Sequence, residues 1–233
     1  MVLEICANSF QSAKNAQDAG AHRIELCSEL AAGGITPSYG LIKQVLENLS
    51  IETYVLIRPR SGNFSYSDSE FEIMKQDIQV CKDLGCSGIV SGILKADYGI
   101  DVLRTQEIIA LSKPLSFTFH RAFDCLPNPL DTLYQLMNLG VDRILTSGHE
   151  VTAIQGMEFL NQLKEKSEGN VIILPGSGIN PTNAKAFKDA GFNEIHASAS
   201  KLILDKNINS YFGNTQNTVS DFETIKAILK QIE

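Results

Sequence analysis

Short apolar runs recur along this chain about every 20 to 30 residues, each followed by a polar or glycine-bearing turn and then by a segment with helical spacing. Eight such runs are strand candidates: residues 3–6, 23–27, 53–57, 88–91, 115–119, 143–145, 171–174 and 194–196. Helical patterns fill the gaps at 9–19, 37–48, 69–84, 101–111, 129–139, 151–166, 181–190 and 221–232. Gly20, Gly85, Gly140 and Gly191 stand where a left-handed helix end favours glycine, and Pro37, Pro129 and Pro181 where a first helical turn tolerates proline. Alternating strands and helices require a parallel sheet with right-handed crossovers, and eight units can close on themselves. The fold class expected is therefore α/β, a (β/α)8 TIM-type barrel. A doubly wound open sheet is the structural alternative.

A length of 233 residues with 43% hydrophobic content suits one barrel domain spanning 1–233. The Asn- and Ser-rich stretch at about 206–218, before the last helix, is the one long irregular segment, placed to cover the barrel mouth or touch a partner. The net charge of -7 and the lack of any Lys or Arg run argue against nucleic acid and anionic membranes as partners. The N-terminus has no positive region before its apolar residues, and no apolar stretch is long enough to span a bilayer. A cytoplasmic location is expected. The five cysteines, Cys6, Cys27, Cys81, Cys86 and Cys125, are odd in number and lack CxxC spacing, so they are read as thiols.

In a barrel the functional side chains come from the C-terminal ends of the strands. Strand one ends in Glu4 and Cys6, and strand two in Glu25 and Cys27; each pair shares one face because side chains alternate. If the matching Glu-x-Cys patterns pair in register, the two thiols lie side by side, within reach of one metal ion. Free cysteines are also common as small buried apolar residues, so that reading stays open. Strand three runs into Arg58 and Arg60, strand five into His120, Arg121 and Asp124, and strand eight into His196 and Ser198. His120 and Arg121, with Asp124 close behind, could form an acid-base pair or an ion-pair brace, and Glu25 or His120 could carry a proton. Arg58, Arg60 and Arg121 could clamp an anion or simply neutralise carboxylates. The turn Gly176-Ser177-Gly178, ahead of a helix, offers an anion seat, although tight strand-to-helix packing asks for the same residues. Cys81 and Cys86 look like packing residues, and Cys125 is left undecided.

Several phrases in this order resemble the CutC family of copper homeostasis proteins, over nearly the whole chain to about Lys201. They are Glu4-Ile5-Cys6, His22 to Ser28, Gly33 to Ser38, Ile57-Arg58-Pro59-Arg60, Thr118 to Asp124, Leu145 to Gly148 and Pro175 to Ile179. The resemblance implies a TIM-type barrel, a cytoplasmic protein and Cu(I) as the metal, held by Cys6 and Cys27. Soft thiolates suit Cu(I), and the polar groups around them become their supporting shell. Two positions depart from the family pattern. Ser200 stands where the family usually carries arginine, and Ser177 interrupts the glycine triplet of some relatives. The many ionisable groups at the strand ends also keep an enzyme in view, with acid-base chemistry on a small anionic or phosphorylated substrate. A homo-oligomer, with a dimer favoured, is expected by analogy with related barrels.

Overall fold

The computed structural model describes residues 1–203 and 217–233. Eight parallel strands form one sheet: β1 (Val2–Ala7), β2 (Arg23–Leu26), β3 (Glu52–Leu56), β4 (Gly88–Ser91), β5 (Ser116–Phe119), β6 (Arg143–Thr146), β7 (Ile172–Pro175) and β8 (Glu194–Ala197). Their order is β7-β6-β5-β4-β3-β2-β1-β8, so each strand lies beside its predecessor and β8 returns to β1. A parallel bridge between Gly176 and His196 joins β7 to β8 and closes the barrel. The open-sheet alternative is thereby set aside.

Helices α1 (Phe10–Ala19), α2 (Tyr39–Asn48), α3 (Asp68–Leu84), α4 (Val102–Ser112), α5 (Pro129–Leu139), α6 (Met157–Ser167), α7 (Ala184–Asp189) and α8 (Phe222–Ile232) follow the strands in turn. Local chemistry sets their ends. Ser67 and Glu70 form a reciprocal capping box at the start of α3, and Gly85 ends that helix at φ 83° with its N–H on the carbonyls of Cys81 and Lys82. Two helices are shorter than the spacing suggests. Helix α6 starts at Met157 rather than 151 because Gly156 packs its backbone against the β6 turn; a Cβ there would lie 2.0 Å from the Ser147 carbonyl oxygen. Helix α7 starts at Ala184 rather than 181, because Asn180 and Asn183 hold the preceding turn with side-chain bonds.

Outward-facing residues such as Leu3, Ile5, Ile24 and Leu26 are fully buried against the helices, each contributing about 1.5–3 kcal/mol by leaving water. Inside the barrel, the alternate positions carry charge. Arg23 on β2 bridges Glu4 on β1 and Glu194 on β8, while Arg143 on β6 reaches Glu194 at 2.9 Å and the Tyr54 hydroxyl at 3.0 Å. A small apolar cluster of Cys6, Cys27, Tyr54, Leu56 and Val90 lies beside this network.

A short antiparallel pair was not anticipated: β9 (Ser200–Leu202) and β10 (Thr218–Ser220). Most of the irregular segment expected at about 206–218 lies outside the described residues; Thr218, at its end, begins β10. Strand β10 is tied to the rim of the barrel. Ser220 donates its hydroxyl to the Cys6 carbonyl, and Asn8 and Asn15 donate to the Thr218 and Ser220 carbonyls.

Candidate functional site

The C-terminal ends of the strands surround one cavity of about 310 Å³. Its lining includes Cys6, Glu25 and His196, Arg58, His120 and Arg121, and Ser177, Gly178 and Ser198. The thiol-bearing and cationic groups thus share a single space.

The thiols of Cys6 and Cys27 are 3.5 Å apart. They do not meet through the register suggested by the paired Glu-x-Cys pattern. Cys6 is opposite Glu25, and Glu4 is opposite Arg23, so β2 is shifted by two residues and Cys27 reaches Cys6 diagonally. Parallel strands in a closed barrel must stagger, and the stagger here brings Arg23 onto Glu4. Cys27 is fully buried behind Gly34 and Leu56, so only Cys6 of the two faces the cavity. Contact with Cys27 and burial both raise the Cys6 thiol well above its ordinary range, against a lowering hydrogen bond with His196.

His196 is held from two sides. Its Nδ1 lies 2.7 Å from Glu4 Oε1, and its Nε2 lies 3.4 Å from Glu25 Oε2. Burial opposes a charged imidazole, but the bonds to Cys6 and Glu4 and the charges of both carboxylates outweigh it, so His196 is raised well above its ordinary value. Burial would likewise raise Glu4, yet the bond from His196 and the charge of Arg23 hold it down at about 2. Glu25 has less compensation. Burial, reinforced by the charge of Glu4 and only partly offset by His196, pushes it up to about 7. This couple of a charged imidazole and a carboxyl near neutrality is the strongest proton-handling pair in the cavity.

His120 is different. Burial and the charge of Arg58 lower it to about 3, and its Nδ1 accepts the Ala122 N–H at 3.2 Å. The ring is therefore neutral with its hydrogen on Nε2. Its ring lies 4.7 Å from that of Phe64, tilted by 55°, and the Arg58 guanidinium sits 4.9 Å from the same Phe64 ring.

The three arginines behave unlike one another. Arg58 is buried, and its terminal nitrogens donate to the carbonyls of Ala32, Gly34 and Gly62, which fix the β2–α2 loop to the end of β3. Arg60 does not line the cavity; it is bound by Glu70, Asn63 and backbone carbonyls of its own loop. Arg121 pairs with Asp124 at 2.8 Å and reaches Ser147 at 2.9 Å. Asp124 is also off the cavity wall. It accepts from the Thr146 and Ser147 hydroxyls and from the Ser147 amide, a brace between the β5 and β6 loops. At the β7 turn the Gly176 N–H donates to the Thr146 carbonyl, while Ser177 and Gly178 reach the cavity.

Sequence reasoning missed Arg23, Arg143 and Glu194, although each stands at an alternate position of its strand, on the face that carries the site. It also missed Phe64, which arrives from a loop with no periodic signal.

The CutC family model matches residues 1–201. The chain belongs to the CutC family. Family protein CutC of Photorhabdus laumondii is 48% identical over 202 residues, covering 87% of this chain and 81% of that protein. Its counterpart in Edwardsiella ictaluri is 46% identical over 203 residues, covering 87% and 80%. Among solved structures, the putative copper homeostasis protein CutC from Streptococcus agalactiae is similar with a TM-score of 0.80 and 33% identity, covering 85% of this chain and 98% of that one. The family match stops at the start of β9, so all eight barrel strands lie within it.

Proposed function

We propose that this chain is a copper homeostasis protein that binds Cu(I) through Cys6 and Cys27. The observation that carries the reading is the 3.5 Å contact between the two thiols, both shielded from bulk water. Their offset also matters. A two-residue shift places their Cα atoms about 8 Å apart, from about 4.8 Å across the strands and 6.6 Å along them. That exceeds the ~7 Å within which a disulfide closes without backbone movement. The pair is therefore suited to a shared ion more than to oxidation. Two thiolates and one Cu(I) carry a net charge of minus one, and the charged His196 beside Cys6 offsets it. The solved relative from Streptococcus agalactiae, described as a putative copper homeostasis protein, supports the same reading.

The test is an anaerobic Cu(I) titration of reduced protein against a chromophoric competitor. One Cu(I) per chain is expected, with Cys6→Ser and Cys27→Ser each losing it. Unchanged stoichiometry in the double variant would sink the proposal.

The cavity favours a second reading, an enzyme acting on a small anion. Glu25, near neutrality, would carry the proton, the neutral His120 would donate a hydrogen bond to substrate, and Arg58 and Arg121 would supply positive charge. A thermal-shift screen of small carboxylates and phosphorylated metabolites tests it. Stabilisation that vanishes in His120→Phe supports it, and no stabilisation by any compound counts against it.

A further inference from the structure

Among the described residues, Cys6, Glu25 and His196 bring a sulfur, a carboxylate oxygen and a ring nitrogen within 4.8 Å of one another. All three are buried, and all three line the cavity. We infer that they form a second metal site, for a borderline divalent cation of the Zn2+ type, distinct from the dithiol pair and sharing Cys6 with it.

Geometry supports this in three ways. Ligand atoms at about 2.0–2.3 Å from a tetrahedral ion are about 3.3–3.8 Å apart, so the three groups need to close by only roughly one ångström. The His196 Nε2 already lies 3.4 Å from Glu25 Oε2. Its other nitrogen, Nδ1, is bound to Glu4 at 2.7 Å, and Glu4 is in turn gripped by Arg23. A carboxylate on the far side of a histidine is the arrangement that fixes the ring and its tautomer for a metal, leaving Nε2 to ligate.

Charge points the same way. A thiolate, a carboxylate and a neutral imidazole around a divalent ion sum to zero, which a buried setting favours. The four charges below the site, on Glu4, Arg23, Glu194 and Arg143, also sum to zero. Three protein ligands leave one position of a tetrahedral ion open toward the cavity, as in catalytic sites and unlike closed structural ones. The mix of N, O and S donors suits Zn2+ more than Cu(I), for which the sulfur-only pair is the softer choice. Because both sites use Cys6, one ion excludes the other.

The dependence on Cys27 and Glu25 separates the two sites. Reduced protein is titrated anaerobically with Zn2+ against a chromophoric chelator, and with Co2+ followed by its thiolate charge-transfer band. One ion per chain is expected, with the Co2+ band absent in Cys6→Ser. Glu25→Gln and His196→Gln should each weaken Zn2+ by at least about tenfold, as loss of a ligand or its support does elsewhere. Cys27→Ser should leave Zn2+ affinity within about twofold while losing Cu(I), and Glu25→Gln should keep Cu(I). Failure of the folded wild-type chain to bind Zn2+ overturns the inference, as does Co2+ binding without a thiolate band. A loss in Cys27→Ser equal to that in Glu25→Gln would also overturn it, by assigning the ion to the dithiol pair. The three overturning outcomes rest on Zn2+ and Co2+ alone and do not depend on Cu(I) binding.

Discussion

Replacing Arg23 by methionine removes the cation that joins Glu4 to Glu194 inside the barrel. Both carboxylates are buried; Glu194 keeps Arg143, but Glu4 is left with His196 alone. Breaking a buried pair by deleting one partner costs about 3–5 kcal/mol, because the remaining charge stays desolvated. The loss has a pH signature. Glu4 stands at about 2 in the fold against an ordinary 4.5, so its folded value is depressed and it binds protons less tightly folded than unfolded. Its stabilisation, about 3 kcal/mol at about 1.4 kcal/mol per decade, is present above pH 4.5 and disappears as the pH falls toward 2. Without Arg23 the Glu4 carboxyl returns toward its ordinary value in the fold, so the acid limb of the stability profile should flatten between pH 4.5 and 2. Urea unfolding at pH 7, 5, 4 and 3 measures both effects. Adding Glu4→Gln to Arg23→Met should recover at least about 1 kcal/mol at pH 7, since no unpaired carboxylate remains. A loss below about 1 kcal/mol in Arg23→Met, with the acid limb unmoved, would refute the reasoning.

Glu25 titrates in the opposite sense: its folded value is raised from 4.5 to about 7, so the stability it contributes is present below pH 4.5 and lost as the pH rises through about 7. Wild-type stability should therefore fall between pH 5 and 7, and Glu25→Gln should flatten that fall by about 1–3 kcal/mol in urea titrations. Gly156→Ala should cost at least about 2 kcal/mol in thermal unfolding, because the new methyl group meets backbone atoms at 2.0 and 2.9 Å that cannot step aside. Native protein should expose one thiol to a disulfide reagent, Cys125, with Cys6, Cys27, Cys81 and Cys86 reacting only on unfolding. Cys125→Ser should abolish the native reaction and change stability by less than about 0.5 kcal/mol.

The barrel was legible because its signal repeats. Eight apolar runs and the glycines after α1, α3 and α5 each say little, but the order leaves few topologies. Helix starts were less legible where a turn precedes them. The stretch 151–156 before α6 keeps a helix-like spacing, and Pro181 before α7 looks like a first helical turn; what stops them from coiling is a backbone contact at Gly156 and side-chain bonds at Asn180 and Asn183. At the site, residue types and faces could be read from alternation, which placed Glu4, Cys6, Glu25 and Cys27 toward the interior, with His196 named as a strand-end residue. The stagger of β2 against β1 could not, since two similar Glu-x-Cys phrases invite in-register pairing. The stagger that barrel closure requires sets the shift and brings Arg23 onto Glu4. Nor does a list of arginines tell which are engaged: Arg60 and Arg121 are held by carboxylates close in sequence, at Glu70 and Asp124, whereas Arg58 is held by carbonyls of a distant loop.

The central claim is that a metal ion is held by sulfur from Cys6 and Cys27. X-ray absorption at the copper edge, on reduced protein loaded anaerobically with one equivalent of Cu(I), tests it most directly. Scattering from two sulfur atoms in the wild-type chain, with the protein-bound copper signal lost in Cys27→Ser, is the expected result. A spectrum fitted by nitrogen and oxygen alone, or one unchanged by Cys27→Ser, would contradict the claim.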